Sequence, residues 1–246
     1  MKNKLVLAAG MPRAGSGWHY NLIHDLLVAG GGQDARQVRA RYRLHPFLTE
    51  VNCNIGVLKA YRILPVLLPC LFGNTYAIKT HARLTPFVQN FIRRGWILPA
   101  YIYRDPRAAL LSAYEYGHRS RERGSANAFA ALNSIEEAIE FMHEYARVWE
   151  AWMACEEALH VRYEDLLNDY EVEAARLIEF LGFQEITPEL RAVVDRYRPD
   201  RGEGQKGTHF RYGQAERFRE VLSEGELSRC NREFAPYLAR MGYPSG

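Results

Sequence analysis

The sequence has few of the features that define a disulfide-stapled, zinc-binding or membrane-spanning protein. Its four cysteines lie far apart, at Cys53, Cys70, Cys155 and Cys230. They form no C-x-x-C pair, which argues against a disulfide framework and against a zinc site. The longest apolar stretch, Ile63–Phe72, is interrupted by prolines and is too short to span a bilayer. The apolar run Leu5–Ala9 is likewise shorter than that of a signal peptide, so we expect a cytoplasmic protein with free thiols and no membrane span.

The chain also lacks a strong excess of charge of either sign. Its formal net charge is +3, and no dense run of basic residues indicates a tail that binds nucleic acid. Lysine is scarce and occurs only at Lys2, Lys4, Lys59, Lys79 and Lys206. A hydrophobic content of 48% over 246 residues is sufficient for a full core. Because no linker, repeat or low-complexity tract interrupts the chain, we predict a single domain over residues 1–246.

What the sequence does contain is a glycine-rich turn, GMPRAGSGW, at Gly10–Trp18. A strand, a glycine-rich turn and a helix start, in this order, direct backbone N–H groups and the positive end of a helix dipole at one point, which favours an anion. A nucleoside triphosphatase loop would have lysine after its second glycine, whereas Ser16 stands here. The side-chain charge comes from Arg13 instead, which favours a phosphate group of a ligand other than ATP or GTP.

Apolar runs and helical spacing alternate along the chain. The predicted strands are Lys4–Gly10, Thr75–Thr80, Trp96–Tyr103 and Leu159–Tyr163. The predicted helices are Gly17–Ala29, Thr85–Arg94, Pro106–His118, Ile135–Glu157, Glu171–Leu181 and Gln214–Met241. We expect loops and short helices over Gln33–Pro69, and surface loops over Arg119–Asn127 and Arg198–Gly213. This alternation predicts an α/β fold with a mainly parallel central sheet covered by helices on both faces.

Polar side chains follow the second strand at the edge where a parallel sheet binds its ligands. Lys79 and His81 are two residues apart, so their side chains leave the strand on the same face. A neutral His81 could take a proton from a hydroxyl group, and Lys79 could stabilise negative charge on a nearby oxygen. The alternative is a surface histidine beside a salt-bridged lysine.

The third and fourth strands end in similar polar groups. Arg104 ends the third strand, and Ser112 lies eight residues later on the next helix, so the two could hold one phosphate together. The alternative is an ion pair between Arg104 and Asp105, with Ser112 facing solvent. Tyr163 at the end of the fourth strand could contact a purine or seal the sheet edge.

Taken together, these motifs resemble those of sulfotransferases that use 3′-phosphoadenosine 5′-phosphosulfate (PAPS). Residues 12–18, PRAGSGW, resemble the 5′-phosphosulfate loop P-[KR]-S-G-T-T-W, and residues 79–81 match the K-T-H element that holds a catalytic histidine. Residues 103–114 resemble the 3′-phosphate motif R-[ND]-P-[KR]-D-x-x-x-S-x-[YF]. Residues 163–166, YEDL, match an element whose tyrosine lies near the adenine. The resemblance implies a P-loop-like, three-layer α/β/α sulfotransferase fold.

Some positions depart from the family pattern. The final element, R-K-G-x-x-G-D-W-[KR], fits best on residues 211–219, where Tyr212 replaces the lysine and Phe218 the tryptophan. A second register would place Lys206 and Gly207 on the K-G pair instead. In the first loop, Ala14 replaces a serine, and serine and glycine at 16–17 replace two threonines.

The resemblance implies a role for each matching residue. The implied catalytic residues are His81 as general base, Lys79 beside the transferring group and Arg13 at the leaving oxygen. The implied PAPS-binding residues are Arg13, Ala14, Gly15, Ser16, Gly17, Trp18, Arg104, Ser112, Tyr163, Arg211, Tyr212 and Gly213. No metal is implied, and the product would be adenosine 3′,5′-bisphosphate (PAP). The acceptor would be a hydroxyl or amine group of a small molecule, a glycan or a lipid, with no nucleic acid as partner.

Two other functions stay open from the sequence. A kinase-like P-loop protein would use Asp105 to hold Mg²⁺, but the loop lysine is missing, and an ordinary nucleotide has no 3′-phosphate for Arg104 and Ser112. A non-catalytic nucleotide-binding protein of the same fold would not require Lys79 and His81. The oligomeric state is not predicted.

Overall fold

The fold is organised around one parallel sheet. The computed structural model describes residues 3–125, 127–199 and 216–245. Within these residues, five parallel strands form a sheet in the order β2-β3-β1-β4-β5. The strands are β1 (Leu5–Gly10), β2 (Asn54–Ile55), β3 (Tyr76–Thr80), β4 (Ile97–Tyr103) and β5 (Leu159–Arg162). The predicted α/β fold is confirmed, and the short edge strand β2 is the part of the sheet that the sequence pattern did not indicate.

Helices cover both faces of the sheet. They are α1 (Ser16–Ala29), α2 (Ala35–Arg41), α3 (Ala60–Leu71), α4 (Pro86–Arg93), α5 (Pro106–Glu122), α6 (Ile135–Met153), α7 (Tyr163–Asn168), α8 (Tyr170–Phe180), α9 (Pro188–Arg196), α10 (Phe218–Val221) and α11 (Glu224–Met241). Side chains of α1, α7, α8 and α9 form one hydrophobic cluster, and those of α2–α6, α10 and α11 form another. Each cluster lies between the sheet and the helices on one of its faces, so the arrangement has three layers, α/β/α.

The central strand β1 contributes to both clusters because successive side chains of a strand point to opposite faces. Leu5 and Leu7 lie in one cluster, whereas Val6 and Ala8 lie in the other, and each is at most 2% exposed. From β1 the chain passes to β2 and β3 on one side of β1, and then to β4 on its other side. Parallel sheets bind ligands where the strand order reverses in this way, beyond the carboxyl ends of the strands.

The prediction of a surface loop over residues 119–127 is wrong for the first residues of this range. Helix α5 continues to Glu122, and a 3₁₀ helix, Ala128–Ala131, follows Asn127. The Arg121 guanidinium donates hydrogen bonds to the carbonyl oxygens of Ala130, in this 3₁₀ helix, and of Leu132, which follows it. This contact fixes the end of α5 against the following segment, which a reading of local polarity cannot detect.

Other bounds also differ from the predicted ones. Helix α3 extends through Pro65 and Pro69, where short pieces were expected, and the predicted helix 214–241 is divided into α10 and α11. The division lies at Ser223, whose side chain and Glu226 form a capping box that starts α11. No helix in the described ranges is long and apolar enough to cross a membrane. The single domain over residues 1–246 stays a prediction.

Candidate active site

The glycine-rich turn joins β1 to α1 through two residues with positive φ. Arg13 has φ of +63° and Gly15 has φ of +74°. A Cβ atom at Gly15 would lie 2.7 Å from the Tyr163 ring, so only glycine fits there. No side chain caps the first turn of α1, which leaves its N-terminal amide groups available to an anion. Left-handed conformations of non-glycine residues such as Arg13 are uncommon and concentrate at functional sites.

A cavity of about 430 Å³ opens at this turn, beyond the carboxyl ends of the central strands. Its lining residues are Arg13, Gly15, Ser16, Gly17, Trp18, Val51, Asn52, Lys79, Arg104, Ser112 and Tyr163. Among the described residues, three cationic side chains and no carboxylate line this cavity. The arrangement therefore favours a ligand with several negative charges.

Arg13 is fixed by contacts from α5 and from the 3₁₀ helix. Its Nε donates a hydrogen bond of 3.2 Å to Ser112 Oγ. Its guanidinium carbon lies 4.5 Å from the centre of the Tyr116 ring and 5.7 Å from that of Phe129. Burial lowers the pKa of Arg13 from its ordinary value. The structure thus joins Ser112 directly to Arg13, rather than leaving it in solvent.

Arg104 faces the same cavity from the end of β4. Its guanidinium carbon lies 4.4 Å from the centre of the Tyr163 ring, and its buried Nε has no hydrogen-bond partner in the described part of the chain. Glu164 lies next to Arg104, and its Oε1 is 4.0 Å from the Arg104 Nε. The other carboxylate oxygen, Oε2, accepts a 2.6 Å hydrogen bond from the Tyr243 hydroxyl. Burial raises the pKa of the Glu164 carboxyl group. Because Arg104 lines the cavity, its guanidinium group is placed to contact a ligand there.

Lys79 and His81 lie side by side at the end of β3, as their spacing predicts. Lys79 is 8% exposed and lines the cavity, and burial together with the Arg13 charge lowers its pKa to about 8. His81 Nδ1 lies 2.6 Å from the Gly10 carbonyl oxygen. Burial, assisted by the Lys79 charge, lowers the pKa of His81 to about 4, so the imidazole is neutral at pH 7.

Not every predicted site residue contacts the cavity. Ala14 is fully buried in the hydrophobic core, and His81 lies beside the wall of the cavity rather than in it. Trp18 reaches the wall but is only 3% exposed, because its Nε1 donates to the Tyr197 carbonyl and its ring stacks on Tyr170. The predicted residues Arg211, Tyr212 and Gly213, and the alternative Lys206, lie outside the described residues.

Sequence reasoning missed three residues of the site. Val51 and Asn52 line the cavity, and they precede β2 in a stretch for which only loops and short helices were expected. Tyr116 covers the Arg13 guanidinium from α5. Its position four residues after Ser112, on the same helix face, is the signal that could have indicated it.

Asp105, the acidic residue that directly follows Arg104, is engaged in a structural ion pair. Asp105 is 5% exposed, and Arg107 is fully buried. Arg107 Nε donates to Asp105 Oδ1 at 3.0 Å, and Arg107 Nη2 donates to Oδ2 at 2.7 Å. Arg107 also donates to the side chain of Asn231 and to the carbonyl oxygen of Pro244. Both carboxylate oxygens of Asp105 are thus occupied, which opposes the alternative in which Asp105 pairs with Arg104 or holds Mg²⁺.

Replacing Asp105 by alanine should lower the free energy of unfolding by about 3–5 kcal/mol, since it leaves the buried Arg107 charge without its partner. Urea denaturation would measure the change. Asp105 also caps α5, since its side chain accepts a hydrogen bond from the Arg107 backbone N–H. Asp105→Asn keeps a side-chain cap and serves as the matched control for it. If the alanine variant lost less than about 1 kcal/mol, the size expected of a cap alone, the ion pair would not be a major stabilising contact.

Comparison with known proteins identifies the family. The family model described as "Sulfotransferase domain" matches residues 3–199. The chain therefore belongs to the sulfotransferase family, which confirms the predicted family and enzyme class. Among curated protein sequences, none matches this chain.

Solved structures share this fold at low sequence identity. Retinol dehydratase in complex with androsterone and inactive cofactor PAP is 16% identical with a TM-score of 0.60, over 97% of this chain and 81% of that one. A mouse sulfotransferase, SULT7A1, complexed with PAP, is 15% identical with a TM-score of 0.59, over 97% of this chain and 84% of that one. These similarities confirm the sulfotransferase fold.

Proposed function

We propose that this sulfotransferase takes its sulfuryl group from PAPS and transfers it to a hydroxyl group. The observation that carries the proposal is the carboxylate-free cavity at the start of α1, lined by Arg13, Lys79 and Arg104. PAPS carries phosphate groups at both its 3′ and 5′ positions, and such a polyanion offsets the repulsion among these three cations. The two similar structures named above are complexes with PAP, the product that PAPS would leave.

The described residues fit such a ligand. The uncapped amide groups of α1 suit the 5′-phosphosulfate, because helix N-termini bind phosphate. Arg104 suits the 3′-phosphate, since it lines the cavity and its contact with Glu164 is a 4.0 Å ion pair rather than a hydrogen bond. Tyr163 suits the adenine, and Ser112 adds a hydroxyl group to the same wall. The proposed assignments of Arg211, Tyr212 and Gly213 rest on the sequence motif alone.

In the proposed reaction, the acceptor oxygen forms a bond to sulfur while the bond from sulfur to the bridging oxygen of PAPS breaks. The electron pair of the broken bond stays on that oxygen, which becomes part of the 5′-phosphate of PAP. Arg13 and Lys79 stabilise the charge that develops on the leaving and transferring oxygens. Because the Lys79 pKa is about 8, its ammonium form still predominates at pH 7.

His81 is the proposed general base for the acceptor hydroxyl. Its Nδ1 must carry a hydrogen to bond the Gly10 carbonyl, so Nε2 is left with the lone pair that takes the proton. Its lowered pKa keeps this nitrogen unprotonated at neutral pH. Since His81 lies beside the cavity wall, we infer that the acceptor approaches from the side of His81. A small-molecule acceptor is the first candidate, with glycans and lipids as the alternatives.

Calorimetric titration with and without Mg²⁺ tests the donor. We expect PAP to bind at least about tenfold more tightly than 5′-AMP, since a charge-assisted contact to the 3′-phosphate contributes 1.4 kcal/mol or more. ATP serves as the control for a polyphosphate without a 3′-phosphate. Tighter, Mg²⁺-dependent binding of ATP would contradict the proposal and favour a kinase-like function.

A further inference from the structure

Helix α3 exposes an apolar face to solvent. The residues of this face, which we call the α3 stripe, are Tyr61, Leu64, Leu68, Leu71 and Phe72, and they are 46–68% exposed. Their spacing places them on one side of the helix. The opposite side is buried against the core by Ile63, Val66, Leu67 and Cys70. An exposed apolar patch of this length marks an interaction surface.

Basic residues surround the α3 stripe. Residues 35–73 contain six lysines and arginines and one acidic residue, Glu50, which gives a formal charge of +5 against +3 for the whole chain. Lys59 and Arg62 flank the first turn of α3. Arg41 lies near the other end of α3. Its guanidinium carbon is 5.7 Å from the centre of the Tyr42 ring, and the centre of the Tyr42 ring is 6.2 Å from the centre of the Phe72 ring.

Of these charges, that of Arg36 is paired with Asp34, whereas those beside the α3 stripe are not neutralised. Within residues 3–125, 127–199 and 216–245, no carboxylate forms an ion pair with Arg41, Arg43, Lys59 or Arg62. A second copy of the chain docked through the same face would bring two sets of positive charge together, which is unfavourable. A surface that is apolar and also negatively charged at its rim complements both features.

We propose that the α3 stripe and its flanking basic residues bind the surface of an anionic lipid bilayer. The apolar side chains would enter the boundary between headgroups and acyl chains, and Arg41, Lys59 and Arg62 would contact the anionic headgroups. Binding by this face requires neither PAPS nor the acceptor. The inference therefore stands or falls separately from the proposed reaction.

Co-sedimentation of the full chain with vesicles tests this surface. We expect binding to phosphatidylcholine vesicles that contain phosphatidylserine, weak binding to phosphatidylcholine alone, and a loss of binding as salt is raised to about 0.5 M. The double variant Leu64→Ser/Leu68→Ser should weaken binding at least tenfold. Arg41→Glu/Lys59→Glu should weaken it similarly, since each basic residue near an anionic surface contributes roughly fivefold.

The matched control is Val172→Ser/Ile186→Ser. These residues are also exposed apolar residues, 60% and 42% exposed, but they lie away from α3. Weakened vesicle binding by both α3 variants, with control binding equal to that of the unmodified chain, supports the proposal. Equal binding by all three variants, or dimerisation that the α3 variants abolish without any vesicle binding, would overturn it. If the serine variant fails to fold, the charge-reversal variant, altered only at exposed positions, decides the outcome.

Discussion

Replacing His81 by alanine is expected to lower the rate of the sulfuryl-transfer step by about 10²- to 10⁴-fold, the contribution typical of a positioned general base. Affinity for PAP should stay within about threefold of the unmodified chain, because His81 is not part of the cavity wall among the described residues. A single-turnover measurement, with protein in excess over PAPS and a hydroxyl acceptor present, follows the transfer step separately from PAP dissociation. Calorimetry with PAP measures the binding.

The matched control is His118→Ala, since His118 is an exposed histidine on α5 that pairs with Glu122. Near-normal turnover of His81→Ala would contradict the role of His81 as base. The pH dependence gives a further check with a definite sign. The pKa of His81 is lowered to about 4, so its base form is fully present at pH 6 and is lost only as the pH falls through about 4. The rate of transfer should therefore stay constant between pH 7 and pH 6. A general base with the ordinary pKa of histidine, about 6.5, would instead lose activity over this range.

Replacing Arg104 by alanine should weaken PAP binding about 10- to 150-fold, which corresponds to one or two charge-assisted hydrogen bonds. The effect should be confined to the 3′-phosphate. Adenosine 5′-phosphosulfate, which lacks that group, should bind the variant and the unmodified chain with similar affinity. Calorimetric titration of both proteins with both ligands gives the coupling between the arginine and the phosphate.

Arg83→Ala is the matched control for the loss of a positive charge, because Arg83 is an exposed residue outside the cavity wall. Equal weakening of both adenosine ligands by Arg104→Ala would contradict the assignment, since it would show that Arg104 supports the cavity rather than the 3′-phosphate. Arg104 stacks on Tyr163. The thermal stability of the variant should therefore be measured beside its affinity.

The sequence predicted the parts of the site that depend on local geometry. The turn at Gly10–Trp18 has this property, since a strand, a glycine-rich turn and a helix start determine the direction of the backbone amides. The i, i+2 spacing of Lys79 and His81 likewise placed them side by side at the end of β3. The family motifs predicted the fold as well, which the comparisons confirm.

The rest of the site depends on contacts between residues distant in the sequence. Ser112 accepts a hydrogen bond from Arg13, which is 99 positions away in the sequence. Asp105 is paired with Arg107 and so is not available to a ligand, and Arg107 also donates to the carbonyl oxygen of the distant Pro244. Neither contact has a local sequence signal. Similarly, the position of His81 beside the cavity is set by the Gly10 carbonyl, which only the assembled sheet brings within 2.6 Å.

The crowding of Arg13, Lys79 and Arg104 around a cavity without carboxylates has a kinetic consequence under the proposed reaction. PAP retains both phosphate groups of the donor, so the cations that attract the substrate also hold the spent nucleotide. Departure of PAP must restore the repulsion among the three side chains. Product dissociation, rather than the transfer itself, is therefore the step expected to limit steady-state turnover.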